Sequence, residues 1–330
     1  RNEMKRFNFY SLIVMVALTL CLVMNSSAMA KSQNLKAVSF LPKDHPLCKM
    51  IHVWVDRVNA ECGDAIKIDW LGGGEVIPGF DQAESLQNNI VQIIFNPTAY
   101  YAPLAPELNA FTLSKLSIAE ERKPGGLYEY MDERHKKIGM KYIGTWLHDP
   151  FYLRVNKPVK TIEDLKGVKM RTSALYDRFM KKLGMIPVTV KFGDTFTSLE
   201  RNLVQGFGFA TLGPRDWGWL KNCKYIIDIP FYTRQNTLIL MNLDVWNGLE
   251  KSVQDKIMDI TIKFEPEMVA HFEAQIKEEW KKYDEIGIKR IKFTPAENKK
   301  YYEAAYEAEW EDLTKKVPAL VPDLKRLTGN

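Results

Sequence analysis

The chain has 330 residues, 26% charged and 46% hydrophobic, with a formal net charge of +5. That composition excludes a disordered, collagenous or disulfide-dense chain, and with no Lys/Arg run no nucleic-acid partner is expected. At roughly 150 residues per domain the length predicts two lobes, each large enough to bury a core.

Met4-Lys5-Arg6 opens a basic stretch, residues 12–24 form an uncharged apolar run, and Ala28-Met29-Ala30 has the small-x-small pattern of a cleavage site. This order predicts a secretory signal peptide cleaved after about Ala30. The apolar run is shorter than the ~20 residues a spanning helix needs. Cys48, Cys62 and Cys223 follow. An odd number is no disulfide framework, and a helix from Cys48 to Cys62 would hold them ~21 Å apart. Buried free thiols are expected.

Residues 35–40 read as an apolar strand. Residues 45–60 carry Leu47, Met50, Ile51, Trp54, Val55 and Val58 at helical spacing. An alternating strand at 65–71 meets Gly72-Gly73-Gly74, a helix follows at 80–89 and a strand at 91–95. Residues 127–138 and 140–146 predict a helix and a strand. The first pattern then recurs: strand 168–171, helix 175–183 ended by Gly184, strand 186–190, a helix capped by Asp194 and a strand at 207–212. Each half is a βαβαβ unit, which predicts a parallel sheet covered on both faces.

Two more strands are expected at 225–229 and 237–243, then a long amphipathic helix at 252–283 containing Pro266. Thr294-Pro295-Ala296-Glu297 is a capping box with Pro at the first helical position. The helix it opens carries a stripe of Tyr302, Tyr306, Trp310 and Leu313, expected to pack on the second half. Ligands of such sheets sit beyond the C-terminal ends of the parallel strands, here the cleft between two sheets.

No G-x-S-x-G elbow, phosphate-binding loop or zinc spacing occurs, so no catalytic residue, metal site or cofactor is predicted. The strongest single candidate is Arg171, at the end of a strand, with Thr172 and Ser173 expected to cap the next helix. A guanidinium fork beside open helix N–H groups suits a carboxylate. Phe40, Glu75, Asn96 with Tyr100, Trp146, Phe209 and Asn236 fall at other strand ends. Together they describe a pocket for a small organic acid. His148, just past a strand, either faces that cleft or does not.

The segment Thr161-Ile162-Glu163-Asp164-Leu165-Lys166-Gly167-Val168-Lys169-Met170-Arg171 resembles the T-x-x-D-L-K-G-x-K-x-R signature of the DctP-type solute-binding proteins of tripartite ATP-independent periplasmic (TRAP) transporters. Leu183-Gly184-Met185-Ile186-Pro187-Val188 is similar to that family's L-G-A-x-P-V. The run from Gly193 to Gly206 and the pattern Leu238, Asn242, Trp246, Leu249 follow it in outline.

The resemblance implies an α/β, periplasmic-binding-protein-like fold: two α/β lobes around a central cleft, with long C-terminal helices. The lobes would be 31–150 with about 238–280, and 151–237 with about 281–330. It further implies no enzymatic activity, and capture of a carboxylate in the periplasm for an integral-membrane TRAP permease; a monomer is expected. Arg171 falls on the family's carboxylate-gripping arginine.

Two departures bear on the ligand. Phe209 stands where the family often has Asn, and Phe151 where sialic-acid-specific members carry a second Arg. Aromatics in place of polar grips argue against sugar acids and for a smaller or more apolar acid, aromatic or branched. Arg215 either adds an anion contact or pairs with Asp216. The competing readings are a secreted enzyme, for which Glu75 with His148 is the one titratable pair, and a sensor partner using the same pocket.

Overall fold

The computed structural model describes residues 32–172 and 175–330. The predicted signal peptide and Ser173, an expected helix cap, lie outside them. The first sheet is built from β1 (Gln33–Ser39), α1 (Lys49–Cys62), β2 (Ile66–Gly72), α2 (Gln82–Gln87) and β3 (Ile93–Pro97). After α3 (Ile118–Glu121) and α4 (Leu127–Lys136) it gains β4 (Met140–Thr145). The second holds β5 (Phe151–Val155), β6 (Lys169–Thr172), α5 (Asp177–Lys182), β7 (Ile186–Thr189), α6 (Thr195–Glu200), β8 (Gly206–Ala210) and β9 (Tyr225–Ile227). The chain then returns through β10 (Thr237–Asn242), α7 (Leu243–Gly248), α8 (Lys251–Glu285), β11 (Lys289–Ile291), α9 (Pro295–Lys316) and α10 (Val321–Leu327).

The strand orders are β2-β1-β3-β10-β4 and β11-β9-β5-β8-β6-β7. Both predicted βαβαβ units are present: β1 pairs parallel with β2 and β3, and β6 pairs parallel with β7 and β8. The sheets are not wholly parallel, however. β10 lies antiparallel between β3 and β4, and β5 antiparallel between β8 and β9. Each of these strands completes its sheet after a crossover, and a fully buried strand such as β10 carries no alternation to announce its neighbours.

Local chemistry explains most boundaries. The six apolar positions predicted for the first helix are all buried, against β1–β3. Edge strand β2 alternates, with Ile66, Ile68 and Trp70 inside. Gly184 closes α5 with φ of 75°, as a left-handed cap requires. The Thr294/Glu297 capping box is formed in both directions. α8 runs unbroken through Pro266, whose missing N–H leaves the carbonyl of Ile262, on an exposed turn, to solvent. Asp194 stands before α6 but makes no side-chain cap, because a short 3-10 turn over Phe192–Asp194 enters the helix first.

α9 does more than cover the second sheet. Tyr301 meets Phe179 of α5 edge-on at 5.1 Å, while α9 also packs on the 3-10 segment Pro106–Leu113 that follows the first sheet's β3. One continuous apolar cluster therefore includes Val38 and Ile94 of the first sheet and Leu153 and Met170 of the second. Cys48, Cys62 and Cys223 are free and buried, and burial pushes the Cys48 and Cys223 thiols up to about 12.

The chain passes between the sheets three times: after β4, before β10 and along α8. The first two passages lie antiparallel side by side, joined from Trp146 N–H to Thr237 O and by the paired bridge of Phe151 with Tyr232. Asp149, fully buried in the first passage, accepts the backbone N–H groups of Thr211 and Leu212 at 2.8 Å each, just beyond β8. Gln235 of the second passage donates to the Asp149 carbonyl, and Tyr283 near the end of α8 donates to Thr211 O. All three passages thus meet at one node. Burial raises the Asp149 carboxyl to about 7, opposed by the two N–H donors and the Arg154 charge.

Two predictions follow the packing. Asp149→Ala strands two buried backbone donors and should destabilise the protein by about 3 kcal/mol in urea unfolding. His135 is fully buried in α4, where Nδ1–H donates to Met131 O at 2.7 Å and Nε2 accepts from Tyr101 Oη at 3.0 Å. Burial lowers it from 6.5 to about 4. The unfolded chain therefore binds a proton that the fold refuses, and stability is lost as pH falls from 6.5 towards 4, by roughly 3 kcal/mol from this group. In His135→Gln the dependence of unfolding free energy on pH over that window should flatten by that amount.

Candidate functional site

A cavity of about 660 Å³ opens between the two sheets. Its walls come from the C-terminal ends of all six parallel strands of the two βαβαβ units, together with the first two passages. Of the predicted residues, Phe40, Glu75, Tyr100, Phe151, Arg171, Phe209 and Asn236 line it.

Asn96 and Trp146 do not. Both are fully buried behind the wall. Asn96 Nδ2 donates to Gly79 O at 2.8 Å and to Gln82 Oε1 at 2.9 Å, and Gln82 in turn donates to Ser39 O. This network ties the ends of β1 and β3 to the loop after β2. Trp146 backs Phe40, with ring centroids 5.9 Å apart.

The first-sheet wall is aromatic. Phe40 meets Tyr100 edge-on at 5.7 Å, and Phe80 stacks on Tyr100 at 4.3 Å. Phe80 is 62% exposed, a large apolar ring turned to the opening. Gly79 permits the stack: a Cβ there would lie 2.7 Å from the Tyr100 ring. On the other side Phe209 and Phe192 pack with Trp217 and Trp219. Sequence reasoning missed Phe80, Tyr176 and Phe192. Phe192 carried the signal that found the others, a position just past a parallel strand, whereas Phe80 and Tyr176 fell inside segments read as helix.

Arg171 is the charged centre. β6 is the middle strand of its βαβαβ unit, so its C-terminal end points at the cavity, and the side chain is only 7% exposed. Among the described residues no carboxylate pairs with it. Nη1 donates to Tyr176 Oη at 3.2 Å, Nε has no partner, and the guanidinium lies 5.8 Å from the Trp219 ring centroid. Its charge is felt across the cavity: burial raises the Tyr100 phenol and Arg171 opposes that rise.

The expected helix N-terminus is not where the sequence placed it. α5 begins at Asp177, with Tyr176 at the cap position and no side-chain cap, so Thr172 does not cap it. Tyr176 turns inward to β8 instead, and its non-helical backbone delays the helix.

Glu75 lines the cavity at its exposed rim, its Oε1 accepting from Gly73 N–H at 2.7 Å. His148 does not line it, and burial lowers that imidazole. The one acid–base pair suggested for catalysis is therefore not assembled there. Arg215 is bidentate on Glu279 and also meets Asp216, outside this cavity.

The profile of the bacterial extracellular solute-binding proteins, family 7 (DctP), matches residues 37–316. The chain belongs to that family. It is 30% identical over 161 residues to the C4-dicarboxylate-binding protein DctB of Bacillus subtilis, covering 46% of each chain. The chain spans about half the length of the curated relatives it matches.

Among solved structures, it is similar to a TRAP periplasmic solute-binding protein from Desulfovibrio salexigens with bound orotic acid, with a TM-score of 0.80 and 18% identity. That match covers 90% of this chain and 98% of the other. It is also similar to the Bordetella pertussis receptor DctP7, which binds pyroglutamic acid (TM-score 0.78, 18% identity, 91% and 100% covered). The two-lobed α/β fold is the one these proteins share.

An unpaired buried cation costs stability, since its desolvation is not repaid. Arg171→Leu should therefore raise the unfolding free energy of the ligand-free protein by about 1 kcal/mol. Calorimetry on protein refolded to remove any co-purified ligand checks this.

Proposed function

We propose that this protein is an extracytoplasmic receptor that captures a small organic acid between its lobes and delivers it to a TRAP membrane permease. The observation that carries the reading is Arg171: a buried guanidinium, unpaired by any described carboxylate, at a strand end in a cavity whose wall includes seven aromatic rings alongside the charged groups Glu75, Asp177 and Lys191. Only an anion brought from outside repays its desolvation.

The same wall supports an acid with an aromatic or branched body. Phe151 and Phe209 offer area and no hydrogen bonds where a sugar acid would need them. Residues 31–150 with about 238–280 form the first lobe in this reading, and 151–237 with about 281–330 the second. The open lobes admit the acid, Arg171 fixes its carboxylate, the rings cover the rest, and the permease recognises the closed form. The protein acts as a monomer in the periplasm, without catalysis, metal or cofactor.

A thermal-shift panel of aromatic, branched and sugar-derived carboxylates, amino acids and neutral sugars tests the reading. A ligand that binds only the folded state raises the midpoint. Midpoints should rise with aromatic or branched monocarboxylates, and Arg171→Ala should weaken the best of them by about 3 kcal/mol, more than 100-fold. A rise with neutral sugars alone, or wild-type affinity in Arg171→Ala, would sink the proposal.

A further inference from the structure

We propose that Tyr176 is the positioning residue for Arg171, holding the guanidinium fork in place without neutralising it. The inference rests on the carboxylate-receptor reading above and adds how the site keeps its charge available.

Tyr176 Oη donates to the Gly208 carbonyl at 2.5 Å. The phenol's single proton is spent there, so what it presents to Arg171 is a lone pair, which accepts from Nη1 at 3.2 Å. Both side chains are more than nine-tenths buried, and both line the cavity.

The other arginines held inside the fold show the alternative. Arg122 and Arg234 are clamped by Glu265 and Glu121, as the partly exposed Arg178 is by Glu309. Arg154 also lacks a carboxylate, but its fork is spent on the carbonyls of Phe209 and Ala210 and on Tyr283, and it does not line the cavity. A glutamate beside Arg171 would supply direction and cancel the charge together. A phenol supplies direction alone, so the full positive charge remains for a ligand anion.

The arrangement depends on a bare backbone at one place. Gly208 lies opposite Leu153 in the sheet, and a Cβ there would sit 2.8 Å from Tyr176 Cε2 and 3.3 Å from Leu153 Cδ2. Phe231 and Phe151 hold the Tyr176 ring from its other sides, at 5.2 and 5.9 Å between centroids. With the ring wedged, the hydroxyl has one position, and the guanidinium bonded to it inherits that position.

Tyr176→Phe removes only the oxygen. The first readout needs no ligand: guanidinium resonances of the full chain labelled with 15N-arginine, Arg171 being assigned by its loss in Arg171→Lys. Wild type should give separate, slowly averaging Nη signals for Arg171, and Tyr176→Phe a single averaged one. Gly208→Ala, which displaces the ring, should do the same.

The second readout is calorimetric titration with orotate and with pyroglutamate. Tyr176→Phe should weaken whichever acid binds by tenfold or more. In an Arg171→Lys background, where a point charge needs no orientation, it should cost less than twofold. An Arg171 spectrum unchanged in Tyr176→Phe overturns the proposal. So does a tenfold loss that persists in the Arg171→Lys background, since the hydroxyl would then contact the acid itself. If wild type binds neither acid, the spectra still decide the positioning role, and the failure belongs to the choice of ligand.

Discussion

The two sheets keep a defined relation because one buried carboxylate gathers the segments that join them. Asp149 leaves the first sheet, accepts two backbone N–H groups beyond β8 of the second, and offers its own carbonyl to Gln235 on the return passage. Tyr283 brings the end of the long helix to the same place. Burying that carboxylate is costly, and desolvation accordingly raises its affinity for a proton. Arg154, lying close by with its fork on the carbonyls of Phe209 and Ala210, offsets part of it. The node sits beside the cavity, with Gln235 of the node and Ala210 next to it in the wall.

The cavity follows from that constraint. Once two βαβαβ units face each other across the node, the C-terminal ends of their parallel strands converge. Turn segments there carry side chains that no longer belong to a sheet face. Several of these are rings, supported from behind by fully buried groups such as Trp146 and the Asn96–Gln82 pair. Elsewhere Arg122 and Arg234 meet glutamates, and the fully buried Arg154 spends its fork on backbone carbonyls and a phenol. In the cavity Arg171 meets a phenol, and the fold forgoes the stability that an ion pair or a leucine would contribute. Such local sacrifice is what a binding site requires.

Much of this was legible in the sequence. Turn and cap chemistry is local, so Gly184, the Thr294/Glu297 box and the repeated strand–helix pattern could be read from neighbours a few residues apart. Arg171 could be placed because a strand followed by a break puts its last side chain at the sheet edge. Trp146 and Asn96 were misplaced for a related reason. They also stand at strand ends, but other segments cover them: Gly79 and Gln82 take up the Asn96 amide, and Trp146 packs behind Phe40. The start of α5 was misjudged because Tyr176 has good helical neighbours, yet its side chain is drawn to a carbonyl on β8.

By itself, then, the sequence determined the elements, the two-unit architecture, the family and the cationic residue, since each of these is written in short-range spacing or in residue type. The tertiary structure decided which strands run antiparallel, which aromatic rings face the cavity, and that Arg171 has no carboxylate partner among the described residues. These depend on pairings between segments tens to hundreds of residues apart, which only the closed packing of both sheets around the Asp149 node brings into contact.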